Sequence, residues 1–450
     1  MTRVDFRCGV GMRFLLPFLC LVLFVTQLGL SLSNLPSLRL MQDVICKKKL
    51  GIASYSPLLP ESDCHADAVQ QELNLVTTGS LVSTTIGGAL VALPFGVLSD
   101  RIGRVPVLGL AVVGLFLSQA YSVFVIWMSP RVPPTAIWGS GVALLIGGGR
   151  SMAESMVFAL ISDIIPTPRR VLWFQCIAAA VIAGQAISPI LAGYLMELSP
   201  WIPLWVSLAL IFAGGLSLTL FTPETLPIST PVSDNQVKDC SHPTVSTRSA
   251  LRFLFSRPAI ALLPGSILAI PLASAQADLI TRLMPLQFSW SLWRSSLLLS
   301  LNSVGTIITL LVALPVLACL LSKMDPVRRD IILARVSVTL LVFGSLALMM
   351  ITSEGLVITG VVVLALSSGV PTLCRSLIVS QLPDTHNTGS VFGMLALGET
   401  LGFIFCFLSM GTLFDVGIRV WMGLPFCFGV ALATIIGVTA WSFRIPRTAD

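Results

Sequence analysis

Long apolar runs separated by short polar loops constrain this chain more than any other feature. A helix that crosses the hydrocarbon core of a bilayer takes about 20 mostly apolar residues. Runs of that kind lie near 14–34, 75–98, 107–129, 136–163, 172–195 and 202–221, and again near 258–279, 294–321, 331–352, 356–381, 391–415 and 421–443. Between the two sets, 222–257 carries Pro223, Pro227, Pro231 and Pro243 among many Ser and Thr, and reads as a flexible linker. The pattern predicts an all-α membrane protein of twelve transmembrane helices. Its expected domains are a six-helix bundle over 1–221, a cytoplasmic linker over 222–257 and a second six-helix bundle over 258–450. Of the 450 residues 55% are hydrophobic and 11% charged, against about 25% charged in soluble domains. No soluble fold covers that much apolar surface, so most of its solvent must be lipid.

The first run also has the basic start of a signal peptide, in Arg3, Arg7 and Arg13, but its apolar stretch is long for a signal core and favours a retained helix. Orientation follows from Lys and Arg. With the N-terminus inside, sixteen fall in inside segments and eight outside (Arg39, Lys47, Lys48, Lys49, Arg131, Arg282, Arg294 and Arg419), while Arg150, Arg335 and Arg375 fall within spans. Both ends and the linker are therefore expected in the cytoplasm, and the loop holding Cys46 and Cys64 on the outer or lumenal side. Two readings of those cysteines stay open, a disulfide or two free thiols. The other eight read as small buried hydrophobes. His65, His242 and His386 are isolated, and no metal-spaced Cys/His cluster occurs. The basic residues form no nucleic-acid-like patch.

Positions 96–104 read Gly96-Val-Leu98-Ser99-Asp100-Arg101-Ile-Gly103-Arg104. This resembles the major facilitator superfamily signature between helices two and three, G-x-L-[AS]-D-R-x-G-R-[KR], and departs from it only at the last position, Val105. Gly96 suits close helix approach, Asp100 suits the positive end of a neighbouring helix, and Arg101 and Arg104 can grip a carboxylate. The resemblance implies a latch joining helices two, four and eleven in one state of the transport cycle, with Asp163 as the acidic partner at the end of helix four. The alternative is an ordinary charged turn that fixes orientation. In span five, Gly184-x-x-x-Ser188-Pro189-x-x-Ala192-Gly193 resembles the exporter motif G-x-x-x-G-P-x-x-G-G, with Ser and Ala replacing two glycines; generic small-residue packing is the alternative. Val69-Gln70-Gln71-Glu72-Leu73, Phe174-Gln175-Cys176 and Leu424-Pro425-Phe426 look like filamentous-fungal members of the superfamily, many of them associated with secondary-metabolite export. The two halves also resemble one another: Gly147-Gly148-Gly149-Arg150 in span four answers Ser368-Gly369 and then Arg375 in span ten, as in a duplicated transporter.

A charge in mid-span costs about 2.5–3.5 kcal/mol on insertion scales and should face the bundle interior. Arg150 and Glu154 stand four apart on one helical face; Arg375 with Glu399 is a second set, and Asp278 beside Gln276 a third. In relatives that export drugs, helix four carries R-x-x-Q-G, of which only Arg150 matches here. Either Glu154 or Glu399 takes up a proton, tuned by Arg150 or Arg375, or the pairs are neutralised structural contacts. Ser83, Thr84, Gln185, Gln276 and Asn302 are candidates to line an otherwise apolar path. The resemblance implies a monomeric antiporter for efflux of small lipophilic molecules, driven by protons and surrounded by lipid, with an importer of a nutrient or organic anion as the alternative. The plasma membrane is expected, or else the vacuolar membrane. No cofactor, metal or nucleic acid is expected, and no hydrolase, metalloprotease or nucleotide-binding motif argues for an enzyme.

Overall fold

The computed structural model describes residues 10–52, 57–129, 131–164, 167–222, 257–381 and 388–443. The linker expected at 222–257 lies outside the described residues apart from its two ends. No strand occurs among the described residues. Eleven stretches there are long and apolar enough to cross a membrane, and large apolar side chains such as Leu90, Leu220, Leu320, Phe343 and Leu401 stand exposed along them. A soluble protein rarely exposes such a surface; along helices, whose backbone groups bond internally, lipid solvates it.

The chain divides into two compact units, Met1–Ile228 with Met284–Val304, and Ser229–Leu283 with Gly305–Asp450. In the first unit, α1 (Val10–Leu32) passes through Ser33 into α2 (Asn34–Leu50), and α3 (Asp67–Ile102) turns through a single residue into α4 (Arg104–Trp127). After a 3-10 turn over Pro134–Gly139 come α5 (Ser140–Ala143), α6 (Gly149–Ile164), α7 (Thr167–Leu198) and α8 (Ile202–Phe221). Small residues set the packing of α1. A Cβ built on Gly184 of α7 would lie 2.9 Å from the Phe24 carbonyl, and on α8 the Ser207 Oγ donates to the Gly29 carbonyl at 2.7 Å. Backbones that approach this closely replace the missing hydrophobic drive between helices in lipid.

The expected fourth span, 136–163, is not one helix. Its first part is the 3-10 turn and α5, its second part is α6, and Gly147, Gly148 and Gly149 divide them at φ +90°, +80° and +66°. Three successive left-handed residues cannot continue a right-handed helix, and only glycine adopts them without penalty. Irregular backbone at membrane depth has to be buried in protein or line a cavity. Here it is buried in a groove of small residues: Cβ atoms built on Gly87 and Gly114 would overlap the Gly141 and Ile146 carbonyls.

The second unit contains α9 (Arg257–Ile260), most of α10 (Leu263–Phe288), the end of α11 (Leu292–Ile308) and a π-turn at Thr309–Ala313. It continues with α12 (Leu314–Leu320), α13 (Pro326–Met349), α14 (Glu354–Leu366), a 3-10 turn at Ser367–Gly369, α15 (Val370–Ser380), α16 (Thr388–Val420) and α17 (Leu424–Ser442). The π-turn and the 3-10 turn answer each other. Thr309 Oγ1 donates to the Ala365 carbonyl at 3.2 Å as well as to Gly305 in its own helix, supplying a donor next to the point where the regular ladder stops. Arg335, which sequence places within a span, caps the end of α17: its Nη2 donates to the Phe443 and Trp441 carbonyls, and its guanidinium lies 4.9 Å over the Trp441 ring.

Candidate functional site

The charged residues expected within spans separate into unlike pairs. Arg150 and Glu154, at the start of α6, pair along their own helix at 2.7 Å with side chains 48% and 44% exposed. Half-exposed charges in a span are stable only toward a polar interior. Arg375 on α15 pairs with Glu399 on α16 at 2.5 Å, and the two are 26% and 19% exposed. The same Arg375 Nη2 donates to the Ser266 carbonyl on α10 at 3.1 Å. One guanidinium therefore joins three helices through a charged partner and a backbone partner. Asp278 pairs with Arg282 one turn along α10 at 2.6 Å and stays 40% exposed.

The signature turn is held from within. Gly103 sits at φ +110° between α3 and α4, and its N–H donates to the Ser99 carbonyl. Ser99 is buried; its hydroxyl donates to the Gly96 carbonyl at 2.7 Å and accepts from Arg104 Nη1 at 3.1 Å. Among the described residues nothing lies within 4 Å of a Cβ built on Gly96, so the close helix approach expected there is not found among them. Asp100, Arg101 and Asp163 occupy helix backbone, but their side chains lie outside the described residues, and the latch with them. In the span-five motif, Gly184 faces α1 and Ala192 and Ser188 are buried. A Cβ on Gly193 would lie 2.6 Å from the Trp293 ring, and Pro189 sits inside α7. Pro189 is buried as well, so the described contacts of this motif are packing contacts.

Cys46 and Cys64 are joined in a disulfide, closing an 18-residue separation. Around it lies a charged cluster that reading the sequence for topology alone missed. Arg39, Asp43 and Lys47 are all buried; Lys47 pairs with Asp43 at 2.6 Å, and Arg39 faces Glu61 at 3.5 Å. Arg39 also donates to the Leu59 carbonyl, while Asp43 accepts the Leu59 N–H at 2.9 Å. Glu61 accepts the Leu292 N–H at the first turn of α11, also at 2.9 Å. The signal was present: residues 39, 43 and 47 recur every four positions, one face of a helix with alternating sign.

Of the polar path candidates, Gln276 is wholly buried and exchanges hydrogen bonds with Ser345 at 3.0 and 3.3 Å, which makes it a structural clamp between α10 and α13. Ser83 donates to the Trp138 carbonyl and Thr84 to carbonyls of its own helix. Gln185 and Asn302 are half-buried. Among the described residues no group of three His, Cys, Asp or Glu stands close enough to hold a metal ion.

Against known proteins, the family model of the Major Facilitator Superfamily matches residues 18–407. An MFS efflux pump, atnC of Emericella nidulans, is 28% identical over 440 residues, covering 94% of this chain and 86% of its own. An efflux pump of Aspergillus flavus, ustT, is 26% identical over 393 residues, covering 83% and 76%. The fold is similar to that of the solved D-xylose-proton symporter, at a TM-score of 0.61 and 15% identity over 96% of this chain and 98% of that one.

Proposed function

The chain belongs to the Major Facilitator Superfamily, and from that premise we propose that it exports small lipophilic compounds in exchange for protons. It is a multi-pass membrane transporter, not an enzyme. Export is supported by relatives named efflux pumps that align along most of the chain, and this favours the exporter over an importer of the same fold. The observation that carries the proton reading is the Arg375–Glu399 pair with its third contact at Ser266. Because Glu399 is the less exposed carboxylate and its partner is tied to two helices, a shift of α15 against α10 alters the charge that Glu399 faces. A carboxylate that alternates between a paired and an unpaired state binds and releases a proton. Glu154, paired along its own helix with Arg150, is the second carrier considered. The protein acts as a lipid-embedded monomer in the plasma membrane, with the vacuolar membrane as the alternative. The disulfide, which ties α2 to the segment before α3, suits an oxidising face.

Purified protein in liposomes loaded with a pH-sensitive dye, challenged with a panel of lipophilic cations and neutral compounds, tests this reading. Compound-dependent proton movement is expected in the wild type, lost in Glu399→Gln and retained in Glu154→Gln. Compound movement that ignores the proton gradient in the wild type removes the coupling, and loss in Glu154→Gln alone moves the carrier to the first unit.

A further inference from the structure

We infer that the fourth span is a two-part element with a hinge at Gly147–Gly149, in which α5 is fixed and α6 is the moving part that re-aims Arg150 and Glu154. The two sides of the break are held by different kinds of contact. On the α5 side the backbone itself is gripped. Ser83 Oγ donates to the Trp138 carbonyl at 2.6 Å, Trp138 Nε1 donates to the Val76 carbonyl at 3.1 Å, and Tyr121 donates to the Ala136 carbonyl at 3.0 Å. Added Cβ atoms on Gly87, Gly114 and Gly141 would overlap backbone or side-chain atoms of α3 or of this segment. On the α6 side the buried contacts among the described residues are side chains, led by Met152 and Met156 within a cluster of Leu, Val, Ala and Ile. Methionine is unbranched and repacks at low cost, so this face tolerates small rotations that the glycine groove does not.

The glycines themselves divide the same way. Gly147 has a packing reason: a Cβ there would overlap the Leu110 backbone of α4. Gly148 and Gly149 have none of that kind, since added Cβ atoms would meet the side chains of Met152, Leu144 and Val91. What remains is conformation: both lie at positive φ, where glycine moves freely and other residues do not. Hinges are commonly a few such residues between rigid parts. Arg150 follows the last of them directly, so a small change at Gly149 is delivered to the Arg150–Glu154 pair one residue and one turn away. A break also precedes Arg375, at the Ser367–Gly369 turn, but there Gly369 lacks a positive φ. The hinge belongs to the first unit.

This inference rests on the transport reading only for its consequence, and the two fail separately. The test uses full-length protein in lipid nanodiscs, with the thiols outside the Cys46–Cys64 bond replaced, and spin-label pairs read by pulsed dipolar spectroscopy. One pair is Leu90→Cys with Val142→Cys, spanning α3 to α5; the other is Leu90→Cys with Ala153→Cys, spanning α3 to α6. The first pair is expected to give a single distance and the second two populations. Combined Gly148→Ala and Gly149→Ala should depress the bent population by about thirtyfold or more, because each alanine is disfavoured in the left-handed region, and leave the first pair unmoved. A single narrow distance for the second pair in unsubstituted-glycine protein overturns the hinge whether or not the alanine variant folds, as does a distribution that the two alanines do not shift. Two populations without proton flux keep the hinge and remove the coupling; one population with proton flux does the reverse.

Discussion

At the residue scale, Gly103 shows how much one position of the signature carries. It ends α3, starts α4 and has φ +110°, a region closed to residues with a Cβ except at a cost. Gly103→Ala is expected to destabilise the protein by about 1–2 kcal/mol, seen as a lower Tm in detergent. Ser99→Ala removes the hydroxyl that both donates to Gly96 and accepts from Arg104, at about 1 kcal/mol. The motif was legible letter by letter, because its order and its place between two spans coincide. The internal Gly96–Ser99–Arg104 chain was not, since the pattern records identities and leaves out which hydroxyl faces which carbonyl. Likewise the spacing of Arg150 and Glu154 announced a pair on one face, whereas Arg375 and Glu399 are 24 residues apart and their third partner is the backbone of Ser266, a group that residue identity leaves unmarked.

At the element scale, apolar run length located the spans well because it measures what lipid selects. It said nothing about continuity. The run over 136–163 is apolar enough to be read as one span, yet the three glycines in its middle take backbone angles that a hydropathy count does not weigh. The grip on the α5 side gives a further expectation. Trp138 is partly exposed, fills the space over Gly79 and donates to Val76. Trp138→Ala is therefore expected to cost about 1–2 kcal/mol, below the figure for a fully buried tryptophan, and to loosen α5 against α3. Increased amide exchange over 134–146, with α7 and α8 unchanged, is the measurement that checks it. A change spread over the whole first unit would mean that the groove is a general packing element and not a local anchor.

At the scale of the whole molecule, the apolar exterior and the buried outer cluster divide the chain's needs between lipid and covalent closure. Asp43 and Lys47 are both removed from water, and a buried pair holds only while its geometry is kept. The Cys46–Cys64 bond fixes the ends of the segment that supplies Leu59, whose N–H Asp43 accepts, and Glu61, which faces Arg39. Cys46→Ser with Cys64→Ser is expected to lower stability by about 3 kcal/mol, the figure for a loop of this length. Reductant should lower the Tm of the wild type and leave that variant unaffected.

That bond also imposes an order on biogenesis. Both cysteines precede α3 and stand 18 residues apart, so they emerge while most of the protein is still to be translated, at about 5–20 residues per second. In an oxidising compartment the cap is sealed first, and Leu292, whose N–H Glu61 receives, arrives more than two hundred residues later at a site already in place. A host that oxidises slowly presents that late segment with an open loop instead. The oxidising power of the compartment that receives this segment, and not only the capacity to insert helices, is then expected to govern how much of the chain matures.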